Sequence, residues 1–346
     1  MKRLLTVMMA LVMMLSLLTA CAAPAAETAS PAQTQAPAPS ETAEASATPT
    51  PMPAAAYGAD NPLSVATLAG PTGMGMIELF DNPAYDVSLL TTPDQISPKI
   101  ISGEATVATI PSNLAAVLYN KMKGGIKIVS VNTMGVLYVV ENGDTVNSIE
   151  DLAGKTLYAT GQGATPEYVL NKILKENGLD DVTVQYMGAH ADLANAVAAG
   201  DVKLALLPEP FVSAVLAQNP DVKVKLDINA EWQKIYGENA GMPMGVTVVS
   251  GAFAQDQASM NQLIADYTAS VNYVVSDPES AAKDIVAQQI VGAEPVAKAA
   301  IPRCGLSFIT GESCKAILAD YFQVMFESNP ESVGGAVPDD DIYYMP

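Results

Sequence analysis

The sequence predicts a two-lobed α/β protein whose chain crosses twice between the lobes. Three observations point that way. A strand running into a glycine turn and a helix start occurs twice, at residues 63–80 and 155–176. Each copy is followed by a matching stretch, Gly103-Glu104-Ala105-Thr106-Val107-Ala108-Thr109-Ile110-Pro111-Ser112 and Gly200-Asp201-Val202-Lys203-Leu204-Ala205-Leu206-Leu207-Pro208-Glu209. Both read glycine, acid, an aliphatic strand, then proline and a polar residue before a helix, which fits a duplicated unit. Apolar stretches at 127–140 and 241–249 then supply the two crossings.

Taken in order, the chain opens Met1-Lys2-Arg3, runs apolar from Leu4 to Leu18 and reads Leu18-Thr19-Ala20-Cys21. A basic start, an apolar stretch of about 15 residues and small residues before a cleavage point describe a secretory signal, too short for a stable membrane span. Leu-Thr-Ala-Cys has the form of a bacterial lipobox, implying cleavage before Cys21 and a lipid on its sulfur. Residues 22–61 hold no Lys or Arg and are mostly Ala, Pro, Thr and Ser. They cannot bury enough apolar surface to offset ordering, so a disordered tether over 21–61 is expected, with folding from near Pro62.

The first lobe is expected over 62–134 and 245–346, the second over 135–244. Residues 63–68 and 86–90 read as strands, and 93–102 as a helix ended by Gly103. The stretch 127–140 is too long and too apolar for one exposed strand and should bend near Asn132 and Gly135. Lys155-Thr156-Leu157-Tyr158-Ala159-Thr160 is a strand leading into Gly161-Gln162-Gly163-Ala164-Thr165-Pro166-Glu167-Tyr168-Val169-Leu170. The glycines allow a tight turn, Thr165 is placed to cap, Pro166 suits the first helical position, and Glu167 complements the helix dipole. Val169, Leu170, Ile173 and Leu174 give an apolar face. Helices follow at 258–275, 278–289, 296–300 and 314–328, before an acidic tail at 338–344.

Charge excludes whole classes of function. With Lys2 and Arg3 removed, 15 basic residues face 37 acidic ones, a net charge of −22. Nucleic acid is no partner, because nothing neutralises phosphates. One Arg, Arg303, and one His, His190, remain. No nucleophile, base and acid stand together, so acyl transfer is unsupported. His190 and Asp192 lack further ligands for a metal site, and no cofactor motif is present. Cys304 and Cys314 are candidates for a disulfide, with two unlinked buried thiols as the equal alternative.

The lipobox, the Gly161–Leu170 motif and Leu207-Pro208-Glu209-Pro210-Phe211 together resemble lipoprotein substrate-binding components of ABC importers. The type is the nitrate/sulfonate/taurine group related to thiamine-pyrimidine-binding proteins. The resemblance extends from about Leu63 to Tyr344. It implies a periplasmic-binding-protein-like (type II) fold, capture of a small molecule between the lobes, and delivery to an ABC permease and its ATPase. It implies no enzyme, a lipid-anchored extracytoplasmic location and a monomer. The cysteine-rich motif of the family's enzyme-like branch is missing.

In such a fold, ligands sit beyond the carboxyl ends of strands, where helix starts converge. The candidate contacts are Thr72, Gly73, Met74, Ser112 and Asn113 from the first lobe and Gln162, Gly163, Ala164 and Thr165 from the second. Thr92 and Asn132 are weaker choices, at a strand end and at the hinge. Glu209 is placed to accept from an amine-bearing ligand, and His190 to reach the cleft. Each has a plain alternative: caps for Thr and Ser, a solvated turn for Glu209, a surface loop for His190. Backbone donors favour an anion, whereas Glu209 and the scarcity of Arg favour a neutral or amine-bearing heterocycle. Two other classes stay open: a sensory or adhesive surface lipoprotein without a permease, and a secreted enzyme on the same fold.

Overall fold

The structure, a computed structural model, describes residues 55–238 and 240–346. The signal, Cys21 and most of the tether lie outside the described residues. β1 (Leu63–Leu68) leads through α1 (Pro71–Gly75) and α2 (Ile77–Phe80) to β2 (Tyr85–Leu90). α3 (Pro93–Ser102), β3 (Val107–Pro111), α4 (Ser112–Met122) and β4 (Ile126–Met134) follow. The chain then crosses to β5 (Leu137–Asn142) and continues through β6 (Thr156–Ala159), α5 (Thr165–Glu176) and β7 (Thr183–Tyr186). Next come α6 (His190–Ala199), β8 (Leu204–Pro208), α7 (Phe211–Gln218), β9 (Val222–Asp227) and α8 (Ile228–Tyr236). It returns in β10 (Pro243–Ser250), and α9 (Gln257–Ser276), α10 (Pro278–Ala287), α11 (Glu294–Ala300), β11 (Leu306–Thr310) and α12 (Gly311–Ser328) complete it.

Two sheets result, in the orders β11-β4-β10-β3-β1-β2 and β7-β6-β8-β5-β9. The duplication read from the sequence is visible in their pairing. β1 lies parallel between β2 and β3, with β10 antiparallel to β3. β6 lies parallel between β7 and β8, with β5 antiparallel to β8. Inner strands read as apolar runs because helices cover both faces. In β4, for example, Ile128 and Val131 face one core cluster and Val129 another. The sequence reading has no counterpart for the strands β9 and β11, both at sheet edges, or for α8.

The crossings meet at the hinge. The Gly135 amide donates to Met242 O (2.9 Å) and the Met134 amide to Gly305 O (2.8 Å). A Cβ on Gly305 would lie 1.5 Å from Met134 O, so only glycine lets these segments touch. The largest apolar cluster contains residues of both sheets. α12 helps join them: Tyr321 stands 5.8 Å from Trp232 of α8, ring centre to ring centre.

One expectation needs correction. Folding begins by Ala56 rather than near Pro62: the Ala56 amide donates to Ser259 Oγ (2.9 Å), and the Tyr57 ring packs on Tyr85 and Phe253. Tyr57 is the aromatic that gives this otherwise small-residue stretch a surface to bury. Of the two alternatives for Cys304 and Cys314, the structure has the unlinked one: both are free and buried. Cys304 packs against Met74, sulfur to sulfur 3.8 Å, in a cluster separate from that of Cys314. The acidic tail is held down, with the Tyr344 amide on Ile128 O and Asp340 on Lys315.

Candidate functional site

The hydroxyls of Thr165 and Ser112, at the starts of α5 and α4, do not cap their own helices. Ala164, not Thr165, holds the N-cap position of α5, and Pro111, not Ser112, that of α4. Thr165 Oγ1, from the five-stranded lobe, therefore donates across to Asn113 Oδ1 at 2.9 Å. The Asn113 amide group donates in turn to Ser332 O (3.3 Å), and Ser112 Oγ donates to Pro243 O of the returning strand (2.6 Å). All of these side chains are buried. The Tyr321 phenol lies beside the Thr165 and Ser112 hydroxyls, and burial pushes its pKa up. Its oxygen is enclosed yet makes no hydrogen bond of good geometry.

A second fastening lies at the start of α7. Glu209 is buried, and its Oε1 accepts from Arg303 Nε at 2.5 Å. Arg303 Nη2 donates to Ser213 Oγ (2.7 Å), whose own hydroxyl and amide donate to the Glu209 carboxylate (both 3.1 Å). Glu209 is thus neither a solvated turn residue nor a free acceptor; the chain's own guanidinium occupies it. Nearby, Tyr138 Oη donates to Arg303 O (3.1 Å).

The other candidates divide. Thr72 and Asn132 come together around Gly245, where a Cβ would lie 2.9 Å from the Thr72 methyl and 2.6 Å from Asn132 Oδ1. Gly245 pairs with Pro111, which places this group beside Ser112. Asn132 is committed to Thr247 and Thr133 (3.1 and 3.0 Å). His190 is the first residue of α6, half-buried rather than on a surface loop. Its Nδ1 is 2.5 Å from Thr160 Oγ1, its ring 5.3 Å from that of Phe211, and burial holds its pKa below the usual value.

Gly73 and Met74 belong to the core: a Cβ on Gly73 would meet Leu68 O at 2.8 Å, and Met74 is fully buried. Thr92 is exposed and caps α3 with Gln95. Gln162 and Gly163 are exposed, Ala164 is half-buried, and the Gly163 amide is taken by Glu167 Oε2 at 2.5 Å. The sequence reading missed Tyr321, Ser213 and Thr160, and named Arg303 without a partner. Among the described residues no three His, Cys, Asp or Glu side chains gather as a metal site.

A family model described as menaquinone biosynthesis matches residues 74–327. The chain belongs to this menaquinone biosynthesis family. That is a different family from the importer components it resembles by motif, but members of that group share the fold. One neighbour is an ABC transporter structure from Parabacteroides distasonis, 22% identical, TM-score 0.71, covering 82% of this chain and 98% of that one. Another is the periplasmic aliphatic sulphonate binding protein of Escherichia coli, 16% identical, TM-score 0.63, covering 82% and 92%. A third is the ligand-binding component of an ABC-type import system from Staphylococcus aureus, 14% identical, TM-score 0.60, covering 82% and 96%. No curated protein matches the sequence. This member of the menaquinone biosynthesis family therefore has the periplasmic-binding-protein-like fold.

Proposed function

We propose that this chain is an extracytoplasmic, membrane-tethered solute-binding protein. It captures a small molecule between its lobes and delivers it to an ABC permease. The observation that carries this reading is the meeting of the α4 and α5 starts from opposite lobes at Asn113 and Thr165. Two bodies joined by two crossings can part and close there. The candidate contacts are Thr72, Ser112, Asn113, Asn132, Thr165 and His190. The tether between Cys21 and Ala56 and the lipid on Cys21 hold the protein near its permease. Native mass spectrometry of protein purified without refolding tests the reading: a carried-over small molecule is expected, released on denaturation. Cys21→Ala is expected to leave the protein uncleaved or released, and a variant that is still cleaved and equally membrane-bound contradicts the anchor.

The family match favours a second reading, an enzyme acting on a small molecule in the same seam. Conversion of the carried molecule by the purified protein would establish it in place of the first.

A further inference from the structure

We propose that Arg303 is the residue that favours closure of the lobes. Its side chain docks, at the bend between the lobes, into a receptor already formed on the five-stranded lobe, and so raises the closed fraction of the solute-free protein. This role rests on the solute-binding reading and deepens it, by naming what sets the balance between open and closed.

The pair stands at the bend itself. The first crossing runs from Met134, which ends β4, to Leu137, which begins β5. From the six-stranded lobe, Gly305 O accepts from the Met134 amide (2.8 Å), and Leu306 pairs with Thr133. From the five-stranded lobe, the Glu209 amide donates to Val136 O (3.0 Å). Just past the bend, Tyr138 Oη reaches back to Arg303 O (3.1 Å). The backbone around Arg303 and the backbone of Glu209 therefore grip the same short crossing from opposite lobes. The Arg303 side chain bridges them.

The two partners are unequal. Glu209 is held within its own lobe: the Ser213 hydroxyl donates to its Oε1 and the Ser213 amide to its Oε2, both at 3.1 Å, in the first turn of α7. That lobe so presents two fixed acceptors, which one guanidinium fills. Arg303 Nε donates to Glu209 Oε1 (2.5 Å) and Nη2 to Ser213 Oγ (2.7 Å). A planar fork meets two acceptors at once, which an ammonium does not. Arg303 is the part that moves, coming from the other lobe with 34% of its side chain exposed. Charge-assisted hydrogen bonds are roughly twice as strong as neutral ones, so this contact shifts the balance more than the Thr165–Asn113 bond does. A solute that binds the closed form gains affinity in proportion to the closed fraction of the free protein. Arg303 is thus a positioning residue, acting without touching the solute.

The test reads the lobe balance directly. Spin labels are placed at Asp94→Cys and Asp192→Cys, exposed residues in the first turns of α3 and α6. These helices follow β2 and β7, the edge strands that lie three strands from a crossing strand in each sheet. Cys304 and Cys314 are buried, and protein without the added cysteines is the labelling control. Pulsed electron–electron resonance on protein stripped of any carried molecule is expected to give two label distances, one of them that of the structure. The population at the structure's distance, relative to the other, should fall at least ~10-fold in Arg303→Gln and by less in Arg303→Lys, which keeps the charge but not the fork. Ser213→Ala removes one acceptor and no charge, and should fall between the wild type and Arg303→Gln. It keeps the test valid if Arg303→Gln does not fold. A ratio within about twofold of the wild type in every folded variant overturns the proposal, and so does a single distance throughout. Neither result bears on whether a small molecule is carried. The solute-binding reading fails separately, if native mass spectrometry finds none on the wild type.

Discussion

Thr165 and Asn113 meet in a fastening that is uncharged and closed to water, whereas Glu209 and Arg303 meet in a charged one whose guanidinium side chain is 34% exposed. Both join the two lobes, and they respond differently to opening and to mutation. When the lobes part, both partners of either pair gain water, so each fastening resists by only its net value, about 1 kcal/mol for a neutral hydrogen bond. When one partner is deleted, the other stays buried and unsatisfied. Weak resistance to opening can therefore coexist with strong sensitivity to substitution.

The charged fastening should give the largest effect. Arg303→Ala leaves the Glu209 carboxylate buried with only Ser213 for support, and stranding a buried charge costs about 3–5 kcal/mol. Water reaching the half-open guanidinium side should keep the loss near the lower bound, measured by chemical denaturation. A loss below about 1 kcal/mol would mean that the pair is no better than a surface ion pair. At the neutral fastening, Thr165→Val removes the donor to Asn113 Oδ1 and should cost about 1–3 kcal/mol. An equal or larger loss than in Arg303→Ala would reverse the comparison.

Tyr321→Phe sharpens it further. The Trp232 contact is kept while an enclosed hydroxyl without a partner is removed. Stability should hold steady or rise by up to about 1 kcal/mol. A marked loss of stability would mean that the phenol is hydrogen-bonded in solution.

The smallest effect concerns His190. Burial keeps its folded pKa below the usual 6.5. The unfolded chain therefore binds the proton first as pH falls, and stability is full above about 6.5 and declines below it. His190→Gln should remove this share of the acid sensitivity, about 1 kcal/mol or less between ~pH 7.5 and ~pH 5.5, read as the difference between the two proteins' melting curves. An identical pH dependence would place His190 in an open setting.

Local signals made much of the fold legible. The helix read at 93–102 has the same bounds in the structure, because Thr92, Pro93 and Gly103 mark its ends in the sequence itself. The paired glycine turns and repeated motifs marked a duplicated unit, which the structure shows as β1 between β2 and β3 and β6 between β7 and β8; the edge strands β9 and β11 carried no such mark. The site was legible only in part. Ser112 and Thr165 were found because they stand at helix starts, yet capping was the expected use of their hydroxyls. The structure gives the cap positions to Pro111 and Ala164, freeing both hydroxyls to bond across the molecule. Their partners are remote in sequence: Glu209 and Arg303 are 94 positions apart, Asn113 and Thr165 are 52. No periodicity encodes such pairs. Tyr321 carried no sign either, being one aromatic on the buried face of α12 among Leu318, Phe322 and Met325.

Capture of a solute by closure at the seam is tested most directly by small-angle scattering. The protein is stripped of the molecule that native mass spectrometry finds on it, and measured before and after that molecule is restored. The radius of gyration should fall on restoration, as Thr165 and Asn113 come together. Tight binding with an unchanged radius would contradict closure of the two lobes around the solute.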